Sequence, residues 1–179
     1  MLIDGKKIAG EIMEPKPESK TSGVFEKPSV RRYQPYDLEA VKKLHRVALE
    51  STGSWVQEGP DEDLDDIEGA YLKGGDFFVE YLGQELAVMG AFKRIDDTTA
   101  EIKRMRVRPD LQRKGLGQMM LDRLEQRIRE IGYIKIVLDT GVRNIGAQNL
   151  YVKNGYREIK RERKARIPFD SIFYEKDLG

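Results

Sequence analysis

A short basic turn rich in glycine, Gln112 to Gly117, has the residue types that bind an anionic phosphate group. A strand-like run ends just before it at Pro109, and a helix is predicted to begin near Leu116. The first backbone N–H groups of a helix have no partner within that helix, and the helix dipole is positive at the same end. Gly115 and Gly117 permit positive φ angles and a close approach of phosphate oxygens to the backbone. The turn is therefore predicted to hold an anionic diphosphate.

Two other kinds of phosphate-binding loop do not fit this stretch. No Lys-Ser or Lys-Thr pair follows the glycines, as a Walker loop requires. The segment Gly-Leu-Gly-Gln-Met-Met also lacks the third glycine of a dinucleotide-binding fingerprint. Arg113 and Lys114 add positive charge within the turn. The pattern that remains is Gln-x-x-Gly-x-Gly.

This turn resembles the acetyl-CoA signature of the GCN5-related N-acetyltransferase (GNAT) family, which is (Arg or Gln)-x-x-Gly-x-(Gly or Ala) after a strand. A second segment, Asn144 to Tyr156, resembles the family pattern Asn-x-x-Ala-x-x-Leu-Tyr-x-x-x-Gly-(Phe or Tyr) in the expected order and separation. The resemblance runs from about Val30 to the C-terminus. It divides the chain into an N-terminal extension or linker, residues 1–29, and an acetyltransferase domain, residues 30–179.

The resemblance implies transfer of an acetyl group from acetyl-CoA to the amine of an unknown acceptor, by direct attack in a ternary complex. Glu101, eleven positions before Gln112, matches the family's frequent general base, and Tyr151 matches the tyrosine that protonates the CoA sulfur. The family also uses backbone groups of a bulged strand, and an asparagine, to bind the pantetheine arm. The implied cofactor-binding residues are Met105, Arg106, Val107, Gln112, Arg113, Lys114, Gly115, Leu116, Gly117, Asn144 and Tyr151, with no metal ligand.

Each of these roles has a structural alternative. Glu101 also suits a salt bridge to a neighbouring lysine or arginine. Tyr151 also suits an aromatic position in the core. Asn144 also suits a helix N-cap. His45, the one histidine of the chain, falls on the inward face of a predicted helix and is expected to be structural.

Alternating strand and helix patterns predict the elements that position these residues in an α/β domain. The resemblance implies a mixed, mostly antiparallel central sheet flanked by helices. Strands are predicted over Val30–Tyr33, Phe77–Leu82, Leu86–Phe92, Thr99–Arg108 and Ile134–Leu138, and helices over Leu38–Leu49, Leu64–Leu72 and Leu116–Ile131. Asp37 is a predicted N-cap.

The strand before the turn carries an irregular pattern. Ile102 lies on one parity of the alternation, whereas Met105 and Val107 lie on the other. A β-bulge near Lys103 or Arg104 would bring all three side chains to one face. A strand with an irregular exposed end is the alternative.

The composition is that of an ordinary enzyme domain. The 179 residues include 35% charged side chains, carry a formal net charge of +1 and contain no cysteine. The near balance of charge gives no global field for nucleic acid, and the lack of cysteine excludes a thiol nucleophile or a thiolate metal site. No long apolar run or charged leader is present, so a cytoplasmic location without membrane association is expected. The resemblance adds a possible homodimer through C-terminal strands.

Two other function classes stay open. A non-catalytic acyl-CoA sensor would keep the turn without needing an acid or a base. A nucleic-acid-binding module would use the basic run from Arg157 to Arg166, but Glu158 and Glu162 interrupt that run and favour a solvated strand. The acidic stretch from Glu58 to Asp66 would either attract a cationic amine or lie at the surface beside a helix N-terminus.

Overall fold

The computed structural model describes residues 30–57, 61–165 and 167–179, and the predicted extension over residues 1–29 lies outside these ranges. The described residues form one seven-stranded sheet in the order β1-β2-β3-β4-β5-β7-β6. The strands are β1 (Arg31–Arg32), β2 (Asp76–Leu82), β3 (Glu85–Arg94), β4 (Thr99–Val107), β5 (Lys135–Gly141), β6 (Arg157–Arg163) and β7 (Asp170–Asp177). Only β4 and β5 pair in parallel. The predicted mixed, mostly antiparallel sheet flanked by helices is confirmed.

Among the described residues, four α-helices flank this sheet. They are α1 (Leu38–Glu50), α2 (Ile67–Tyr71), α3 (Leu116–Ile131) and α4 (Ile145–Lys153). One core cluster joins α3 and α4 to one side of the sheet, where Met120, Leu124 and Ile128 are fully buried. The other joins α1 and α2 to the opposite side around Val41 and Tyr71.

The start of α2 and the N-cap of α1 differ from the sequence predictions. The second helix is shorter than predicted, because Glu62–Leu64 forms a single 3-10 turn and α2 begins only after Asp66. The Asp66 side chain caps α2 by accepting a hydrogen bond from the backbone N–H of Gly69. Asp37 precedes α1 as predicted but makes no side-chain cap. Its buried carboxylate instead accepts hydrogen bonds from Arg31 and from the Tyr81 hydroxyl.

The predicted bulge in β4 is present. Met89 of β3 pairs with Arg106, and Ala91 pairs with Lys103, so two residues of β4 face the single Gly90 between them. Arg104 has a positive φ of 54° at this bulge. A Cβ on Gly90 would lie 2.8 Å from Met120 Cγ of α3, so the strand opposite the bulge is pressed against the helix.

The bulge coincides with the place where the sheet opens. β4 and β5 pair only from Thr99 and Lys135 as far as Ile102 and Leu138. Beyond that point each strand continues without the other, β4 to Val107 and β5 to Gly141. Because parallel pairing ends there, the two strand ends leave backbone groups and side chains facing a gap.

Candidate acetyl-CoA and acceptor site

A cavity of about 430 Å³ lies at the gap between the two strands. Its wall includes β4 from Ile102 to Arg106, the end of β5 from Asp139 to Gly141, and Asn144 and Tyr151 at α4. The segment around α1 and the connection between β6 and β7 complete it. The structure thus brings Met105, Arg106, Asn144 and Tyr151 of the predicted site to one cavity.

The predicted phosphate turn lies just after the open end of β4. Pro109–Leu111 forms a 3-10 turn, and Gly115 then takes the N-cap position of α3 with φ +89°. Arg113 also has a positive φ of 60°, and Arg113 and Lys114 are both exposed. Gln112 makes a long contact of 3.5 Å with the Val107 carbonyl oxygen. The turn therefore ends on the first N–H groups of α3, which helix geometry leaves without partners within the helix.

The two glycines of the turn differ in backbone conformation and in the space around them. Gly115 has a left-handed φ that a side chain would strain. Gly117 lies within α3, and a Cβ there would make only ordinary contacts with Leu150 and Val107, at 3.6 and 3.7 Å. The protein itself therefore has room for a small side chain at Gly117. Without a side chain, Gly117 leaves the backbone at the start of α3 open to close approach.

Tyr151 belongs both to the core and to the cavity. Its ring is 4% exposed and packs against Tyr156 and Tyr174, with centroids 5.6 and 6.0 Å away. Among the described residues, nothing forms a hydrogen bond with its hydroxyl. Burial raises the pKa of Tyr151 to about 12, although the nearby charge of Arg106 opposes that rise. The phenol is therefore protonated at neutral pH and able to donate a proton.

Asn144 and Glu101 both make the structural contacts that the sequence left open. The Asn144 Oδ1 atom accepts the Ala147 N–H at 3.2 Å and caps α4. That bond uses the oxygen and leaves the amide nitrogen of Asn144 available at the cavity wall. The Glu101 carboxylate lies 3.3 Å from Lys93 Nζ and 3.5 Å from Lys103 Nζ. The two lysines line the cavity, whereas Glu101 is outside its lining.

A cluster of charged side chains forms the wall on the α1 side, and sequence reasoning did not assemble it. This arginine cluster consists of Arg104 with Asp61, Asp63 and His45. Arg104 Nη1 lies 2.6 Å from Asp61 Oδ1, and Arg104 Nε lies 2.9 Å from Asp63 Oδ2. The buried Tyr71 hydroxyl donates to Asp63. Part of the acidic stretch therefore binds an arginine inside the protein instead of lying at the surface.

Burial opposes ionisation of the two aspartates, but their partners overcome it. The hydrogen bond from His45 and the charge of Arg104 lower the pKa of Asp61, and the hydrogen bond and charge of Arg104 lower that of Asp63. Both carboxylates are therefore ionised at neutral pH, and both pair with the guanidinium of Arg104.

His45 is buried, as predicted, but it also lines the cavity. Burial lowers its pKa, and the charges of Arg106 and Arg104 lower it further, so the ring is neutral at pH 7. Its Nε2 lies 3.2 Å from Asp61 Oδ2 and 3.3 Å from Arg104 Nη1. Its Nδ1 is buried and has no hydrogen-bond partner among the described residues. Its partners Asp61 and Arg104 lie 16 and 59 positions further along the chain, so no local sequence pattern predicts these contacts.

Asp139 at the end of β5 joins the remaining cavity lysines. Its Oδ1 lies 3.1 Å from Lys103 Nζ and 2.6 Å from Lys164 Nζ. Burial would raise the pKa of Asp139, but the charges of the two lysines lower it. This carboxylate is therefore fully engaged by cations and is ionised at neutral pH.

The basic run outside the cavity has the solvated form that its charge pattern favours. Every residue of β6 is exposed, and Arg161 and Lys160 pair with Glu158 and Glu162.

No group of three or more His, Cys, Asp or Glu side chains within residues 30–57, 61–165 and 167–179 is arranged to hold a metal ion. In the same ranges, no helix combines the length and apolar character needed to cross a membrane.

Comparison with known proteins assigns the chain to one family. Residues 39–156 match the model of the acetyltransferase (GNAT) family. That match covers more than half of the chain, so this protein belongs to the GNAT acetyltransferase family.

Individual relatives agree with this assignment. The chain is 34% identical over 93 residues to the uncharacterized N-acetyltransferase YvbK of Bacillus subtilis, covering 51% of this chain and 59% of that protein. It is 30% identical over 122 residues to the N-acetylaspartate synthetase of Danio rerio, covering 63% of this chain and 43% of that protein. The chain thus spans about half the length of these two relatives.

A solved structure supports the fold. The structure of yncA from Salmonella typhimurium with its cofactor acetyl-CoA has a TM-score of 0.69, at 22% identity over 85% of this chain and 94% of that one.

Proposed function

We propose that the protein is an acetyl-CoA-dependent N-acetyltransferase that binds the cofactor across the opening between β4 and β5. The diphosphate would lie on the N–H groups of the turn from Gln112 to Gly117, beside Arg113 and Lys114. The pantetheine arm would pair with the backbone of Met105 to Val107 and with the Asn144 amide. The observation that carries this proposal is the bulge at Arg104, because it ends the parallel pairing beside the turn and leaves Tyr151 at the cavity wall.

Catalysis is proposed as direct attack of a neutral amine on the thioester carbonyl. The new N–C bond forms, the C–S bond breaks, and the nitrogen releases a proton to solvent as the amide forms. CoA leaves as a thiolate that needs a proton. Tyr151 suits the role of acid, because its hydroxyl is protonated and is not engaged by a described protein group. The thiolate would take its proton from that hydroxyl.

Glu101 is the proposed base that removes the proton of the ammonium, directly or through water. Its two lysine contacts favour the relay through water, since its carboxylate is already occupied and lies outside the cavity lining. His45 is the rival base, because it lines the cavity, is neutral at pH 7 and has an unpartnered Nδ1. The two candidates predict opposite orders for the loss of kcat/KM in Glu101→Gln and His45→Gln.

The kinetic mechanism tests this proposal. Release of the CoA thiol is measured with a disulfide reagent while acetyl-CoA and an amine are both varied. The chain has no cysteine that would add to the signal. Double-reciprocal lines that intersect, and an acetylated amine identified by mass spectrometry, are expected for a ternary complex. Parallel lines would contradict direct attack. Tight acetyl-CoA binding without thiol release across a broad amine panel would favour the sensor.

A further inference from the structure

The cationic side chains that line the cavity differ in whether they form an ion pair with a carboxylate. Lys93 pairs with Glu101, Lys103 pairs with Glu101 and Asp139, and Lys164 also pairs with Asp139. Arg104 pairs with Asp61 and Asp63 within the arginine cluster. Arg106 is the exception among the described lining residues, because it forms no ion pair with any described carboxylate.

The Arg106 side chain is half-buried and only partly bonded. Its Nη1 donates to the Met105 carbonyl oxygen at 2.7 Å, whereas its Nε is buried without a hydrogen-bond partner among the described residues. Burial and the charge of Arg104 lower the pKa of Arg106 to about 10, so the guanidinium is charged at neutral pH. A buried cation of this kind is unfavourable until an anion pairs with it.

The position of Arg106 connects the two ends of the cavity. Arg106 lines the same cavity as His45 on the α1 side and Tyr151 on the α4 side. Its charge lowers the pKa of His45 and opposes the rise in the pKa of Tyr151. The phosphates of the cofactor are assigned to the turn at the start of α3, and the acetyl group is neutral. Neither supplies an anion at this point.

We propose that the Arg106 guanidinium binds a carboxylate of the acceptor, so that the acceptor is a small amino-acid-like amine with its own negative charge. This inference rests on the proposed function. A guanidinium matches a carboxylate through paired, charge-assisted hydrogen bonds. The same pairing would suit a carboxylate on the acyl group of a dicarboxylic acyl-CoA, and the experiment separates these two sources.

The test uses four acceptors, L-aspartate, L-glutamate, L-methionine and L-phenylalanine. Each acceptor is compared with its own amide, in which every carboxylate is replaced by a neutral carboxamide. Thiol release is measured with acetyl-CoA for the wild type, Arg106→Gln and Arg106→Lys. Arg108→Gln is the matched control, because that arginine on the same stretch of chain is already paired with Glu85 and Asp110. Circular dichroism of each protein checks folding, and calorimetric titration of acetyl-CoA checks cofactor binding.

We expect at least one carboxylate acceptor to have a KM roughly 10- to 100-fold lower than its amide with the wild type. Arg106→Gln should raise that KM by a similar factor and remove the preference, with acetyl-CoA affinity unchanged. Arg106→Lys should restore part of the preference, and Arg108→Gln should behave as the wild type.

Several results would overturn the inference while leaving the proposed function intact. These are equal or better use of the amides, a preference that survives in Arg106→Gln, or preferred use of succinyl-CoA that depends on Arg106. The inference would also be overturned if the wild type binds acetyl-CoA but neither binds nor acetylates any of the carboxylate acceptors. Loss of acetyl-CoA binding in Arg106→Gln would assign the side chain to the cofactor instead. Failure of the wild type itself to bind acetyl-CoA would sink the proposed function first.

Discussion

The two ends of the cavity are built in different ways. The cofactor end uses the backbone of one continuous stretch, from Met105 through the turn into α3, with α4 beside it. The α1 end uses side chains from separate segments, with Arg104 of β4 bound to Asp61 and Asp63 more than forty residues away. Backbone geometry serves a ligand that is the same throughout a family. We propose that the charged side chains at the α1 end select the acceptor of this chain.

The largest effect is expected from breaking the arginine cluster. Arg104→Met should lower the free energy of unfolding by about 3 kcal/mol, because it leaves two partly buried carboxylates without their cation. Urea unfolding followed by circular dichroism measures this change. Arg157→Met is the control, since that side chain is 66% exposed in its pair with Glu175, and it should change stability little. Equal effects of the two substitutions would mean that the cluster is not a structural unit.

Removal of the proposed acid should have the next largest effect. Tyr151→Phe is expected to lower kcat about 100-fold by removing the proton donor to the leaving thiolate. The dissociation constant of acetyl-CoA should stay unchanged, because the ring and its packing remain. Tyr156→Phe removes a buried hydroxyl from the neighbouring ring and should leave kcat near the wild-type value. A Tyr151→Phe enzyme with full turnover would exclude this tyrosine as the acid.

The choice of base should give a smaller change. Glu101→Gln is expected to lower kcat/KM about tenfold near pH 7, at the low end for a general base because water relays the proton. The loss should shrink at higher pH, where more of the acceptor amine is already neutral. His45→Gln should cost less than Glu101→Gln across a pH profile from 5.5 to 9. A reversal of that order would make His45 the base.

The smallest effect is expected from the pH dependence of the arginine cluster. Asp61 and Asp63 have lower pKa values in the folded protein than in the unfolded chain. Their contribution to stability is therefore fully present above the unfolded value of about 4 and is lost as the pH falls through the folded values. The stability difference between wild type and Arg104→Met should narrow between pH 5 and pH 2.5. Urea unfolding at each pH measures it, and a constant difference would argue against ionised aspartates.

The same contrast explains what the sequence could predict. The spacing of Gly115 and Gly117 and the change of parity after Ile102 are local features, and they led to the turn and the bulge. The arginine cluster depends on which loop folds over β4, so no local pattern identified it. His45 was correctly expected to be buried, but its place in the cavity follows from the tertiary contact with Asp61. Asn144 caps α4 and also lines the cavity, and its residue type alone does not reveal both positions.

The central claim is that the turn from Gln112 to Gly117 binds acetyl-CoA, and calorimetric titration tests it most directly. Acetyl-CoA and CoA are titrated into the wild type and into Gly117→Trp, whose indole would cover the turn without touching the proposed acid or base. Glu130→Trp, at the exposed far end of the same helix, is the matched control. We predict micromolar binding to the wild type and to Glu130→Trp, and none to Gly117→Trp. A folded wild type that binds neither ligand, or a Gly117→Trp protein that binds as tightly as the wild type, would contradict the account.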